Sequence, residues 1–446
     1  MTVFWAGRAW LDGRVADDVR VRCDEAGRVA AVEAGVGPED GDRRLPGVVY
    51  PGGVNAHSHA FHRLLRGRTH DGGGSFWTWR ELMYREAARL TPENYQRIAT
   101  AVYAEMVAAG WTSVAEFHYV HHQPDGTRYA EPHAMELALA RAARAAGIRL
   151  TLLDTCYLSS GFGAPLTERQ ARFGDGSAEA WLERLAALRT RVAQEYPPGE
   201  VSVGAALHSV RAVPVQALDV AAAGIAAFGA AMPLHVHLSE QPAENEACLA
   251  ETGFTPTELL AEHGLLGPRL SAVHATHLTR TDIELLGAAS ATIVMCPSTE
   301  ADLGDGIGPA HALRAAGATI ALGSDQHVLL DPLVEARMLE QGERLASGRR
   351  GRFSPAELVA AMTLGGAAST GLDVGDIRVG AFCDLIAIDP DSLRTAGSED
   401  AQLVMSATSA DVLEVVVGGV TRVANGVHAV LGPLSGVART LASVAR

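Results

Sequence analysis

The sequence predicts an α/β fold in which a (β/α)8 TIM barrel carries a small β-sandwich formed by both chain ends. From about residue 51 to residue 372, short apolar runs alternate with segments rich in Ala, Leu, Arg and Glu, a pattern typical of parallel strands joined by helices. Shorter strand-like runs flank this region on both sides. The chain has 446 residues, which is enough for one large barrel with an appendage.

The flanking strands are predicted from short β-branched or alternating runs bounded by turns. They are Val19–Arg22, Val29–Val32, Ile377–Gly380, Asp384–Ile388, Val412–Val417 and Thr421–Ala424. We expect the two ends to meet in one β-rich unit, which places domain boundaries at 1–49, 50–374 for the barrel, and 375–446.

The first barrel strand is predicted to end at His57 and His59. The other seven are Trp111–Tyr119, Ile148–Tyr157, Val201–His208, Pro233–His237, Leu270–His274, Thr292–Cys296 and Thr319–Ser324. Predicted helices between them include Pro92–Ala109, His133–Ala146, Ala178–Glu195 and Thr255–His263. An open, doubly wound sheet is the alternative layout. The barrel is favoured because most of these strands end in a reactive side chain, and in a barrel the carboxyl ends of all strands share one face.

Composition excludes several classes of function. Hydrophobic residues make up 48% of the chain and charged residues 20%, as in a folded domain with a large core. The net charge of −15, without a basic run, argues against nucleic-acid or membrane partners. All 37 Lys and Arg residues are arginine, so a Schiff-base lysine and a metal pair bridged by a carboxylated lysine are both excluded.

Cysteine usage and the amino-terminal sequence indicate a cytoplasmic protein. The five cysteines are scattered and form no CxxC motif, which predicts neither a disulfide framework nor a thiolate zinc site. The start of the chain lacks the apolar block of a signal peptide.

Two histidine motifs suggest a metal site at the carboxyl ends of the strands. In His57-Ser58-His59 the two imidazoles point the same way, because side chains alternate along a strand. His237 offers a third nitrogen, and Glu240 follows it on the next loop, where it can act on a water beside the metal. His235 points the same way as His237 and stays open as an alternative ligand. In a purely structural interpretation, Glu240 only caps the following helix.

Two further strand ends complete the predicted constellation. Asp325 follows the last barrel strand and offers an oxygen ligand, and His274 ends another strand. Three histidines and one aspartate suit Zn²⁺ with an open position for water, although iron or manganese would accept the same ligands. Glu240 can then transfer protons, and His274 can stabilise developing charge.

With these residues in place, the chain resembles the amidohydrolase superfamily over essentially its whole length, and within it the N-formimidoyl-L-glutamate deiminase family. The superfamily motifs are His57-x-His59, His237-x-x-Glu240, His274 and Asp325. More specific blocks are 55–61, 76–80, 116–119 and 296–306, which read NAHSHAF, FWTWR, EFHY and CPSTEADLGDG.

The resemblance implies a zinc-dependent hydrolase that converts N-formimino-L-glutamate and water to N-formyl-L-glutamate and ammonia in histidine degradation. It implies one zinc per chain on His57, His59, His237 and Asp325, with Glu240, His274 and Asp325 as catalytic residues. The implied substrate contacts are His62, Arg80, Tyr119, His208 and Arg211. It also implies that the protein is a homodimer and that its small-molecule partner is a dicarboxylate substrate. His62 departs from the family, which usually has glutamine at that position.

Several alternatives stay open at this point. The chain could be another aminohydrolase, such as a deaminase of guanine or an adenosine derivative, or a non-catalytic barrel scaffold. Arg80 and Arg211 have an alternative interpretation as surface groups. His118, His121 and His122 exceed the number of ligand positions, and we expect them to be bystanders around the site or on the surface. The glycine-rich segment 71–74 suggests a loop that closes over substrate.

Overall fold

The computed structural model describes residues 2–70 and 76–444, without the side chains of residues 76–78. The glycine-rich segment 71–74, predicted to be a closing loop, lies outside the described residues. The strands are β1 (Thr2–Leu11), β2 (Arg14–Cys23), β3 (Val29–Glu33), β4 (Arg43–Pro51), β5 (Gly53–Ser58), β6 (Trp111–His118), β7 (Arg149–Cys156), β8 (Ser159–Gly161), β9 (Ala164–Pro165), β10 (Val201–Leu207), β11 (Leu234–Leu238), β12 (Leu270–His274), β13 (Thr292–Met295), β14 (Thr319–Leu322), β15 (Leu385–Ile388), β16 (Val412–Val417), β17 (Val420–Ala424), β18 (Val427–His428) and β19 (Gly432–Pro433).

The described residues form fourteen α-helices, of which the first ten lie between barrel strands and the last four follow the final one. They are α1 (Phe76–Ala88), α2 (Pro92–Ala109), α3 (Ala134–Ala146), α4 (Ala178–Glu195), α5 (Val215–Ala227), α6 (Pro242–Thr252), α7 (Pro256–Glu262), α8 (Arg280–Ala288), α9 (Pro297–Leu303), α10 (Ala310–Ala316), α11 (Pro332–Ser347), α12 (Pro355–Ala360), α13 (Gly366–Thr370) and α14 (Leu434–Val444). Helix α2 begins with two stabilising features. Thr91 and Asn94 form a capping box there, and a proline occupies the first turn.

Eight parallel strands form a nearly closed barrel in the middle of the chain. Their order is β14-β13-β12-β11-β10-β7-β6-β5, and a parallel bridge between Ser58 and Asp325 links the first strand to the end of the last. The strand interiors are almost fully buried, as expected where helices cover a parallel sheet. The predicted barrel is confirmed, and the open-sheet alternative is set aside.

The two chain ends form a second, separate sheet of nine strands in the order β19-β18-β17-β16-β15-β4-β1-β2-β3. Its strands pack around their own core, in which Phe4, Val21, Leu385 and Val416 are buried. This confirms that both ends contribute to one β-rich unit. The predicted strand Ile377–Gly380 is wrong, because this segment is a turn: Ile377 enters the core of the second sheet, but Gly380 adopts a left-handed φ of 92°.

Among the described residues, no helix combines the length and the apolar character that crossing a bilayer requires.

Candidate active site

Four predicted metal ligands converge at the carboxyl ends of the barrel strands. His57 lies on β5 and His59 directly after it, His237 lies on β11, and Asp325 follows β14. All four residues are buried. Because the barrel closes between β5 and β14, residues that are far apart in the sequence become neighbours where these two strands meet. We call this junction the seam.

Four of the separations between these donor atoms fall within a narrow range. His237 Nε2 is 3.2 Å from His57 Nε2 and 3.3 Å from His59 Nε2. Asp325 Oδ1 is 3.3 Å from His57 Nε2 and 3.4 Å from His59 Nε2. Among the described residues, the donor atoms of His57, His59 and His237 form one convergent group, and Asp325 forms others with His57 and His274 and with His59 and His62. Imidazole and carboxylate donors at such spacing are suited to bind a zinc ion.

Hydrogen bonds on the far sides of the rings orient two of the ligands. His59 Nδ1 donates to the carbonyl of Phe117 at 2.8 Å, and His237 Nδ1 donates to the carbonyl of His208 at 2.8 Å. With the proton on Nδ1, each Nε2 presents a lone pair to the site. Two lone pairs 3.3 Å apart repel each other unless a cation lies between them.

Burial keeps the histidines neutral, as metal binding requires. It lowers the pKa of His57 to about 3, and it lowers the pKa of His59 and takes that of His237 well below its ordinary value. Although burial opposes the charged carboxylate, His57, His274 and His59 together hold the pKa of Asp325 well below its usual range. One anionic and three neutral donors therefore fit a divalent cation.

The backbone around Asp325 is unusual and tightly braced. Asp325 has a left-handed φ of 39°, and its N–H donates to the carbonyl of His57 at 3.0 Å. Asn55 links β5 to the segment that follows β14, because its Nδ2 donates to Ser324 Oγ at 2.7 Å and its Oδ1 accepts from Ser324 N at 3.1 Å. Strained, non-glycine conformations of this kind cluster at functional sites.

At Gly323, beside the seam, there is no space for a side chain. A Cβ there would lie 2.7 Å from His57 Cβ and 2.9 Å from Cys296 Sγ. We expect Gly323→Ala to lower the free energy of unfolding by about 1–3 kcal/mol, the usual cost of overpacking. Urea denaturation measures this, with Gly161→Ala as the control, since a Cβ at Gly161 meets nothing within 4 Å. Equal stability of the two variants would contradict the prediction.

The predicted proton-transfer groups lie beside the four donors. His274 Nε2 is 3.7 Å from Glu240 Oε1 and 4.0 Å from Asp325 Oδ2, and its Nδ1 is 3.6 Å from Glu300 Oε1. Burial opposes protonation of His274, but the carboxylates of Glu240, Glu300 and Asp325 outweigh it and raise its pKa to about 10. An imidazolium held among carboxylates can stabilise negative charge and exchange protons.

A cleft opens onto these groups. Every predicted substrate contact lines it, together with aromatic side chains that form its walls. The lining residues include His62, Arg80, Tyr119, His208 and Arg211, and the aromatic residues Trp79, Tyr84, Tyr157 and Phe173. The structure thus brings the predicted contacts together, while their roles stay predictions.

Two guanidinium groups supply positive charge to this cleft. Arg80 Nε donates to the hydroxyl of Tyr84 at 2.9 Å, and Arg211 Nη1 donates to Glu244 Oε1 at 3.1 Å. Burial opposes the charge of Arg211, but Glu244 and Glu240 outweigh it and raise its pKa. His62 Nε2 lies 3.0 Å from the Tyr119 hydroxyl, so His62 takes part in a hydrogen-bonded pair at the floor of the cleft.

Some predictions need correction. The alternative ligand His235 is not near the four donors, because its Nε2 lies 2.9 Å from the carbonyl of Ser369. His118, His121 and His122 are not surface residues: all three are buried, in a cluster of their own. Glu244 and the contact of Glu300 with His274 were not predicted from the sequence. Glu300 lies in the specific block 296–306, which was the available signal.

A conserved-domain model of the amidohydrolase family matches residues 48–422. The chain belongs to the amidohydrolase family. Formimidoylglutamate deiminase of Pseudomonas aeruginosa is 41% identical over 445 residues, covering 96% of this chain and 96% of the relative. The 8-oxoguanine deaminase of the same species is 31% identical over 394 residues, covering 85% of this chain and 83% of that protein.

A solved structure supports the same assignment. A crystal structure of an amidohydrolase from Brucella melitensis matches 100% of this chain and 99% of its own, with a TM-score of 0.91 and 33% identity. The family predicted from the sequence motifs is therefore confirmed, and with it a hydrolase that acts on carbon–nitrogen bonds.

Proposed function

We propose that the protein hydrolyses N-formimino-L-glutamate to N-formyl-L-glutamate and ammonia. The observation that carries this proposal is the pairing, in one cleft, of histidine and aspartate side chains that could hold a metal ion with two arginines suited to a dicarboxylate. The similarity to formimidoylglutamate deiminase over nearly the full chain supports the same substrate.

We propose zinc as the catalytic metal, one ion held by His57, His59, His237 and Asp325. When bound, zinc supplies a Lewis acid that makes water nucleophilic near neutral pH. The donor set supports this choice, because its three imidazoles and one carboxylate suit zinc and leave room for a water.

In this proposal, different side chains around the metal-ligating residues carry out different proton transfers of the reaction. Water adds to the formimino carbon, the C=N bond becomes single, and the terminal nitrogen leaves as ammonia after it is protonated. Glu240 and Asp325 are placed to accept the protons of the water, and Glu240 to deliver one to the leaving nitrogen. His274, held by Glu240 and Glu300, stabilises the oxygen that becomes the formyl carbonyl.

Arg80 and Arg211 are proposed to hold the two carboxylates of the substrate, with His62, Tyr119 and His208 as hydrogen-bonding partners. A hydrogen bond to a charged group contributes about 1.5–3 kcal/mol, equivalent to about 10–150-fold in affinity. We therefore expect Arg80→Met and Arg211→Met each to lower kcat/KM by about 10–150-fold without loss of zinc.

Steady-state kinetics and zinc analysis test this expectation. Arg280→Met is the control, since Arg280 is exposed and pairs with Glu284 away from the cleft. Because Arg211→Met leaves the buried Glu244 without its partner, thermal melting must show that the variant is folded. Wild-type kinetics in both cleft variants would show that neither guanidinium binds substrate.

The direct test of the proposed function is ammonia release from N-formimino-L-glutamate, with 8-oxoguanine, guanine and adenosine as competing substrates. We expect turnover of the linear amidine alone, and loss of that turnover when a chelator removes the metal. Faster turnover of a purine would replace the proposal by a nucleobase deaminase, and no turnover in metal-loaded protein would favour a scaffold.

We further propose a homodimer located in the cytoplasm, with domain boundaries at 1–49, 50–374 and 375–446. Sedimentation equilibrium of the purified protein tests the dimer, and limited proteolysis tests the boundaries.

A further inference from the structure

A second group of titratable side chains lies outside the cleft, at the carboxyl ends of β6 and β7 and against helices α3 and α4. The side chains of this group, which we call the α3–α4 cluster, are almost entirely buried. They are His118, His121, His122, Glu136, Asp154, Asp175 and Arg184. None of them lines the cleft described above.

His121 faces a hydrogen-bond acceptor at each ring nitrogen. Its Nε2 lies 3.0 Å from the carbonyl of Thr155, and its Nδ1 lies 2.7 Å from Glu136 Oε1. A main-chain carbonyl only accepts, so Nε2 carries the proton, and in the neutral ring Nδ1 directs a lone pair at a carboxylate. Something positive must lie between Nδ1 and Glu136: a second proton or a metal ion.

His118 points to the same carboxylate. Its side chain is fully buried, neither ring nitrogen has a hydrogen-bond partner among the described residues, and Nε2 lies 3.5 Å from Glu136 Oε1. Leaving two buried ring nitrogens without partners is costly, and most buried polar groups in proteins are satisfied. One ligand atom each from His118, His121 and Glu136 lie within 4.8 Å of one another.

The excess of negative charge in the α3–α4 cluster also favours the binding of a cation. Arg184 donates to both oxygens of Asp154 and of Asp175, so its guanidinium is already shared between two carboxylates. Arg184 Nη1 also donates to Glu136 Oε1 at 3.2 Å, the oxygen that faces both histidines. Three carboxylates against one guanidinium leave two negative charges in the interior when the histidines are neutral, and unpaired buried charge is strongly destabilising.

We propose that His118, His121 and Glu136 bind a second divalent transition-metal ion of the kind that accepts imidazole and carboxylate ligands, such as zinc. The hydrogen bond from His121 Nε2 to Thr155 orients the ring for this role, as the outer hydrogen bonds do for His59 and His237. A surface cleft of about 270 Å³, lined by His121, Glu136 and Arg184, gives an ion access. The ion would fasten the end of β6, and the loop that begins with Tyr119, to helix α3.

Metal counting tests the proposal. Metal-free protein is reconstituted with excess zinc and desalted, and zinc is measured per chain by mass spectrometry. We expect about two zinc ions in the wild type and about one in His118→Ala and Glu136→Gln. His133→Ala is the control, because His133 lines the same surface cleft but is not among the three donors, and it should keep two.

A second measurement avoids dependence on variants that fail to fold. Cobalt(II) titration of the wild-type apoprotein, followed by visible absorption, should saturate at about two equivalents. Equal zinc content in the wild type and in folded His118→Ala would overturn the proposal, whether the count is one ion or two. Neither outcome depends on deiminase activity, so failure here is separate from failure of the proposed function.

Discussion

Replacing Glu240 with glutamine is expected to lower kcat by about 10²–10⁴-fold, the usual contribution of a general acid–base, while zinc content stays at the wild-type level. Glu240 lines the cleft and approaches His274 at 3.7 Å, but it is not among the groups whose donor atoms converge. Glutamine has the same shape and cannot accept a proton. Ammonia release and zinc analysis on one protein preparation measure both effects.

Glu251→Gln is the matched control for this prediction. Glu251 is exposed near the end of α6, the helix that follows the Glu240 loop, and its substitution should leave both kcat and zinc content unchanged. Loss of zinc from Glu240→Gln would assign Glu240 to the metal instead. A normal kcat would mean that another group, such as Asp325, carries the protons alone.

Much of the barrel could be predicted because its strands are short apolar runs separated by amphipathic helices. Strands β12 and β16 begin and end where the sequence predicted, and helices α2 and α4 do as well. Such segments carry their signal locally, since their periodicity and end residues lie within the segment itself.

The terminal sheet was harder to predict because its pairing is non-local. Strands β1 and β4 were missed: β1 mixes Trp, Arg and Gly with apolar residues, and β4 begins with two arginines and contains prolines. Strand β4 becomes a strand by pairing with β1 on one side and with β15 on the other. Conversely, the apolar character of Ile377 reflects burial and not pairing.

In the candidate site, the metal-ligating residues could be predicted from the sequence, but the residues that contact and orient them could not. The spacing of His57 and His59 on one strand face is visible in the sequence. The role of Glu300 is not, because locally it accepts a hydrogen bond from Cys296 N at 2.9 Å, as an ordinary residue at a helix start does. Only the barrel brings it to His274. In the same way, nothing local distinguishes the buried His118 from a surface histidine.

Replacing Asp325 with alanine is expected to remove both zinc and activity. Asp325 is the anionic member of the four-donor group, and its Oδ1 lies 3.3 Å from His57 Nε2 and 3.4 Å from His59 Nε2. Even the loss of a residue that merely supports a ligand weakens metal binding about 10–100-fold, and the loss of a charged ligand should cost more. We expect zinc affinity to fall by at least about 100-fold and turnover to fall below detection at limiting zinc.

Asp219→Ala is the control for the aspartate, since the Asp219 side chain is 78% exposed and pairs with His263 outside the barrel mouth. Competition with a chromogenic zinc chelator measures the affinity, and excess zinc shows whether activity returns. Zinc retained at wild-type affinity in Asp325→Ala would show that the carboxylate accepts protons without ligating the metal. Together with Glu240→Gln, the variant separates two roles: one substitution should stop turnover with zinc in place, and the other should stop it by releasing the zinc.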